Sequence, residues 1–243
     1  MFLIIGFIFG IVVCKYDLIN LKSLENGETN DSRFGSSDVV NEVLQKLEID
    51  FKNQSKPFFS NIISCYEHSV IKGQDPSIIL LVSNKEMLIN TNCVAERLLK
   101  RLTNKFDVNI DNLVIDAEKF IDSTQNDVKK ILDDKLTHSF GKLNEKLALI
   151  KNIQYLPGNS LLLFHGYGDD VSSAKYPGVV IFLTFTYEDD LSDNKPMSGK
   201  QLTQFIEKKI TEKFSEHISY DQLKPLFTRI TNNIVKVNYE NSC

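Results

Sequence analysis

A chain of 243 residues with 42% hydrophobic side chains has material for one medium-sized core. At a net charge of −4, with its lysines spread along the length, it lacks the basic face that nucleic acid demands. Its four cysteines include no Cys-x-x-Cys pair, so a zinc site is not expected.

Residues 2–14 are continuously apolar and end at Lys15 and Asp17. The run is shorter than the roughly 20 residues a bilayer requires. It reads as a signal-peptide core, with Val12 and Cys14 at the cleavage site, or as a shortened membrane anchor. Either would send the remainder of the chain into a lumen or outside the cell, and any membrane attachment would run through this segment alone. Residues 15–37 are polar, with Asn26-Gly27 and Gly35-Ser36-Ser37, and read as a linker. Asn30 and Asn53 open Asn-x-Ser triplets that fit glycosylation of a lumenal chain.

The domain is expected over 38–243. Asp38 caps a helix to Phe51, and Pro57 opens a second helix with Phe58, Phe59, Ile62, Ile63 and Tyr66 apolar. Ile78 to Val82 form a short apolar strand after Asp75-Pro76 and lead through Ser83-Asn84-Lys85-Glu86 into a helix to Leu102. A second strand lies over 109–116. A long helix from Glu118 to Phe140 is expected to stop at Gly141. Leu147 to Ile150, Leu161 to Phe164 and Val179 to Tyr187 read as further strands, followed by an acidic loop over 188–198. Helices over 199–216 and 221–236 finish the chain. Strands alternating with helices imply an α/β fold with a mostly parallel central sheet flanked by helices.

The first strand–turn–helix unit is the setting of a phosphate-binding loop, which needs glycine so that main-chain N–H groups can curl around phosphate. No glycine lies between Gly73 and Gly141. An ATPase of this architecture would also carry acidic residues where the third strand ends, and here Lys151-Asn152 come next. Two nucleotide-binding elements are missing. Gly-x-Ser-x-Gly and His-Glu-x-x-His are absent as well. The segment His165-Gly166-Tyr167-Gly168-Asp169-Asp170 holds a histidine and two carboxylates after an expected strand, and leaves open a secreted α/β hydrolase. A non-activating binding module is the other alternative.

In the last helix, Asp221 is the expected N-cap, and Leu223, Leu226, Phe227, Ile230 and Ile234 form one apolar stripe. At about 100° per residue, Arg229 lies roughly 120° from its centre and should face outward. Arginine is scarce, only Arg33, Arg97, Arg101 and Arg229, and its planar fork suits phosphate oxygens. Of Cys14, Cys65, Cys93 and Cys243, one pair and one remaining thiol are expected once Cys14 leaves, and spacing does not choose the pair.

These segments together resemble the lumenal domain of the torsin-interacting proteins, the group that includes lamina-associated polypeptide. The match runs through Phe51-Lys52-Asn53-Gln54, Asp75-Pro76 before the Ile78–Ser83 strand, Cys93, Ile115-Asp116, and Tyr155-Leu156-Pro157-Gly158-Asn159-Ser160 with the expected strand after it. It closes on Leu226-Phe227-Thr228-Arg229-Ile230 and a cysteine at the C-terminus, with Phe227 in place of the family's tryptophan and Pro225 entering the helix. The resemblance implies an AAA+-like fold without a nucleotide site. It implies docking on a torsin-type AAA+ ATPase in the endoplasmic reticulum lumen or perinuclear space, and no cofactor. By motif position, Arg229 would be the arginine finger supplied in trans to ATP on that partner. The resemblance also pairs Cys93 with Cys243 and leaves Cys65 outside the bond. Such a bridge would hold the tail, and with it the last helix.

Overall fold

The computed structural model describes residues 36–103, 110–170, 172–188 and 197–243. The apolar run 2–14, Asn30 and the linker up to residue 35 lie outside them, while the linker's expected last residues, Ser36 and Ser37, already belong to the first helix. Strands β1 (Ser77–Asn84), β2 (Val114–Asp116), β3 (Leu147–Lys151), β4 (Val180–Tyr187) and β5 (Ile234–Lys236) form one sheet. Their order is β2-β3-β4-β1-β5, and every neighbouring pair is parallel. A parallel sheet needs helices on both faces, so its central strands are apolar throughout. In β1, Ile78, Leu80 and Val82 face one core while Ile79 and Leu81 face the other, all at 2% exposure or less.

The Ile79 side is covered by α1 (Ser36–Asp50), α2 (Lys56–Tyr66) and α3 (Leu88–Thr103). The Leu80 side is covered by α4 (Gln125–Thr137), the short α5 (Phe164–Tyr167), α6 (Gly199–Phe214) and α7 (Tyr220–Ile230). Among the described residues, no helix is long and apolar enough to cross a membrane.

Several expected elements differ. Leu161 to Phe164 is not a strand: Ser160–Leu163 is a 3₁₀ turn leading into α5. Leu161 and Phe164 are both buried while Leu162 and Leu163 are half-buried, a spacing of three that a strand cannot bury on one face. The helix expected over 118–140 is broken. Residues 117–120 form a 3₁₀ turn, and α4 starts afresh behind Thr124, whose side chain accepts from Asp127 N. Gly141 does not stop it: a π-turn over His138–Lys142 does, and Asn144 takes the left-handed conformation at φ 52°.

α7 begins behind Ser219, not Asp221, and ends at Ile230. Ile234 belongs to β5 and not to the helical stripe. Asn233 turns the chain there, its carbonyl accepting from Leu80 N at 2.9 Å, so β5 starts beside β1. With α7 starting at Tyr220, Pro225 falls inside the helix and not in its first turn. It leaves the carbonyl of Asp221 without its helical donor, which is tolerable because Asp221 is exposed.

The tail after β5 is fastened by side-chain amides acting as a ladder. Asn90 donates to Glu240 O at 2.9 Å and accepts from Glu240 N at 3.0 Å. Gln54 does the same with Asn238, at 2.8 and 2.9 Å. Beyond them Cys243 is bonded to Cys93 on α3, across 150 residues of sequence. Cys65 is buried on α2 and outside that bond. The bridge fastens the tail beyond β5, not α7 itself.

A loop that long gives roughly 5 kcal/mol in the chain-entropy picture, and measured values run lower. We therefore expect Cys243→Ser to lower unfolding stability by about 2–4 kcal/mol with the far-ultraviolet spectrum unchanged, as read from denaturant titration.

Candidate functional site

Arg229 stands on the last turn of α7, which Leu223, Leu226 and Ile230 anchor in the core. The expected outward placement is only half met, since the side chain keeps 27% of its exposure. It lies across α7 toward the segment after α5. Its Nε donates to Asp169 Oδ1 at 2.7 Å, and Nη2 approaches the same oxygen at 2.5 Å. Nη1 donates to Pro225 O at 2.7 Å and to Thr228 Oγ1 at 3.1 Å.

Gly168 makes this approach possible. A Cβ there would sit 3.0 Å from Arg229 Cβ and 3.0 Å from Ile78 Cδ1, tighter than side chains normally pack. The fold thus brings together two segments that sequence alone left apart: the His165–Asp170 run and the arginine of α7. Asp169 holds the guanidinium, and Asp170 accepts from Ser172 and Ser173, each at 2.7 Å. His165 stands beside them on α5. Burial pushes its imidazole below the ordinary histidine value, and the Arg229 charge pushes it the same way, against an opposing hydrogen bond with the Gln222 main chain.

Ile78 is near the N-terminal end of β1, so Arg229 sits at the N-terminal edge of the sheet. The position a nucleotide would take lies at the other edge, where β1 runs into α3. There Met87 N donates to Asn84 Oδ1 at 3.2 Å, so a helix-entry N–H that could meet phosphate is taken by the chain's own side chain. At the end of β3, Lys151 Nζ lies 2.8 Å from Glu96 Oε1 and 3.3 Å from Asp116 Oδ2. Burial pulls this ammonium down, but the two carboxylates outweigh it and raise it above the ordinary lysine value. A cation is already supplied where an ATPase would bind one.

Asn152 completes the plug. Only 1% exposed and left-handed at φ 61°, it donates to Asp116 Oδ1 at 3.0 Å and accepts from Asn92 at 2.9 Å. Its N–H donates to Thr184 Oγ1 at 2.7 Å, and that hydroxyl donates to Asn92 Oδ1 at 2.9 Å. A cleft of about 460 Å³ opens at this same edge between the end of β4 and α6, lined in part by Tyr155, Tyr187, Lys209 and Lys213. It lies far from Arg229. Among the described residues, no group of three His, Cys, Asp or Glu side chains is placed to hold a metal.

Of the other expected site residues, Asn53 is exposed in the turn before α2. Its main chain is tied to the tail through Glu240 Oε2 at 3.2 Å and Asn238 Nδ2 at 3.0 Å. Cys93 and Cys243 lie on the α1–α3 side of the sheet, and Arg229 on the α4–α7 side.

Two outcomes are expected from this packing. Gly168→Ala should cost about 1–3 kcal/mol in thermal or denaturant unfolding, because Arg229 or Ile78 must move to admit the methyl group. An NMR titration should place His165 below an exposed imidazole, and Arg229→Ala should raise its midpoint, since a like charge leaves while burial remains. Because the fold holds the neutral ring, the stability it confers is present above the unfolded value of about 6.5. It is lost as pH falls toward and through the lower folded value.

No curated protein matches the chain. Residues 36–243, the whole span that the sheet, its two helical layers and the bonded tail occupy, match the family model described as lamina-associated polypeptide 1, AAA+ activator domain. The chain belongs to that family of AAA+ activator domains.

Proposed function

We propose that Arg229 is the arginine finger of this chain. As a member of its family, the chain activates a torsin-type AAA+ ATPase in the endoplasmic reticulum lumen or perinuclear space. It is not itself the enzyme, and it supplies an arginine in trans. The observation that carries the assignment to Arg229 is its position. It stands at the N-terminal edge of the sheet, while the plugged nucleotide position lies at the C-terminal edge. From Ile78 to Asn84 the strand alone spans about 20 Å, at about 3.3 Å per residue. No arginine side chain covers that distance, so Arg229 acts on a nucleotide held by a neighbour.

The chemistry is electrostatic. In hydrolysis of ATP, negative charge spreads over the oxygens of the transferring phosphoryl group, and a guanidinium placed there stabilises that charge more than it stabilises the ground state. Fingers of this kind are worth about 10³–10⁵ in rate. The anchoring of α7 by Leu223, Leu226 and Ile230 gives the side chain a rigid base. The same lumenal reading takes exposed Asn53 as a glycan acceptor.

Turnover of ATP by the torsin-type partner, measured with increasing amounts of this chain, tests the assignment. Arg229→Ala should bind the partner and leave its ATPase at the basal rate. Arg229→Lys should restore little, because an ammonium cannot reproduce the planar fork. Full stimulation by a bound Arg229→Ala chain would sink the assignment.

A further inference from the structure

All three nitrogens of the Arg229 guanidinium are engaged within the chain, Nε and Nη1 as hydrogen-bond donors and Nη2 in an ion pair. Nε and Nη2 converge on Asp169 Oδ1, and Nη1 is shared by Pro225 O and Thr228 Oγ1. The edge formed by Nε and Nη2 is one that can pair with two phosphate oxygens. In this structure it is turned onto a carboxylate of the same molecule. A guanidinium in contact with a carboxylate presents a nearly cancelled charge, and a cancelled charge stabilises little of what develops on a phosphoryl group.

We propose that Asp169 is an intramolecular latch that holds Arg229 away from the partner's triphosphate until docking exchanges the carboxylate for phosphate oxygens. The inference rests on Arg229 being the finger, and it adds the contact that restrains it. The geometry suits an exchange. Arg229 and Asp169 keep 27% and 25% of their side-chain exposure, so water and a docking surface can reach both. Asp169 sits just past the short helix α5, in the loop that Gly168 brings against α7. A triphosphate carries more negative charge than one carboxylate and draws the fork away from it.

The charged neighbours of this pair are His165 on α5 and, acting on His165, Lys129 on α4. His165 on α5 is held toward its neutral form, so it does not compete as a cation for Asp169. Asp170 is occupied by Ser172 and Ser173. On α7 itself, Arg229 donates to the uncharged Pro225 carbonyl and Thr228 hydroxyl. Breaking the latch removes the Arg229–Asp169 charge pair, and for a pair this exposed that amounts to about a two- to fivefold effect on apparent affinity.

The test is ATP turnover by the torsin-type partner as a function of the concentration of the full chain. Asp169→Asn keeps the shape and removes the charge. It should reach half-maximal stimulation at about two- to fivefold lower concentration than the unaltered chain. Asp169→Glu, which keeps a carboxylate, should stay close to it. In an Arg229→Ala background, Asp169→Asn should change nothing. Thermal unfolding confirms that each variant is folded, and Asp169→Ser gives a second uncharged variant with the same expectation should Asp169→Asn fold poorly. If Arg229→Ala is inactive and the uncharged Asp169 variants stimulate no better than the unaltered chain, the latch is wrong and the finger stands. If Arg229→Ala stimulates fully, both fall.

Discussion

Everything the chain does depends on a parallel sheet having two different edges. Parallel strands all end on the same side, and open α/β proteins place their ligand there. In this molecule that side is closed by its own polar groups. Asn84 caps the turn into α3, Lys151 pairs with Glu96 and Asp116, and Asn152 knits Asp116, Thr184 and Asn92 together. Buried polar groups are tolerated when each has its partner, and here they satisfy one another. The opposite edge carries Arg229. One strand length separates the plugged position from Arg229, and under the proposed assignment that separation directs the guanidinium to a nucleotide on a neighbour.

The electrostatics of the two edges differ in kind. At the plugged edge a lysine replaces the need for a metal cation, and its pairing is partly buried and structural. At the Arg229 edge the pairing with Asp169 is a single ion pair built from groups that remain accessible. A guanidinium that must leave one anion for another is better served by a partner that holds it in place without burying it. Gly168 permits this arrangement by letting α7 approach without a side chain between them.

How much of this was legible in the sequence depended on whether a signal was local. β1, β3 and β4 read clearly because a buried parallel strand is a short, unbroken apolar run such as Ile78 to Val82. The loss of the phosphate loop was equally plain, since it needed only the missing glycines and Lys151. The run Leu161 to Phe164 misled because apolar content without periodicity does not distinguish a strand from a tight helical turn. Ile234 misled for the opposite reason: it falls four residues after Ile230 and continues a helical stripe, while Asn232-Asn233 had already turned the chain into β5. The facing of Arg229 came from the 3.6-residue repeat of α7. Its partner did not, because Asp169 lies 60 residues away and periodicity along one helix says nothing about what packs across from it.

The most direct test of the central claim is trapping of a transition-state analogue on the partner. A torsin-type ATPase loaded with ADP and aluminium fluoride mimics the phosphoryl group in transfer, and its release rate reports whether an outside cation stabilises that charge. If Arg229 acts across the boundary, the unaltered chain will slow release of the analogue strongly, and the Arg229→Ala chain, bound equally well, will leave it at the rate of the partner alone. Equal trapping by the two chains would contradict the account.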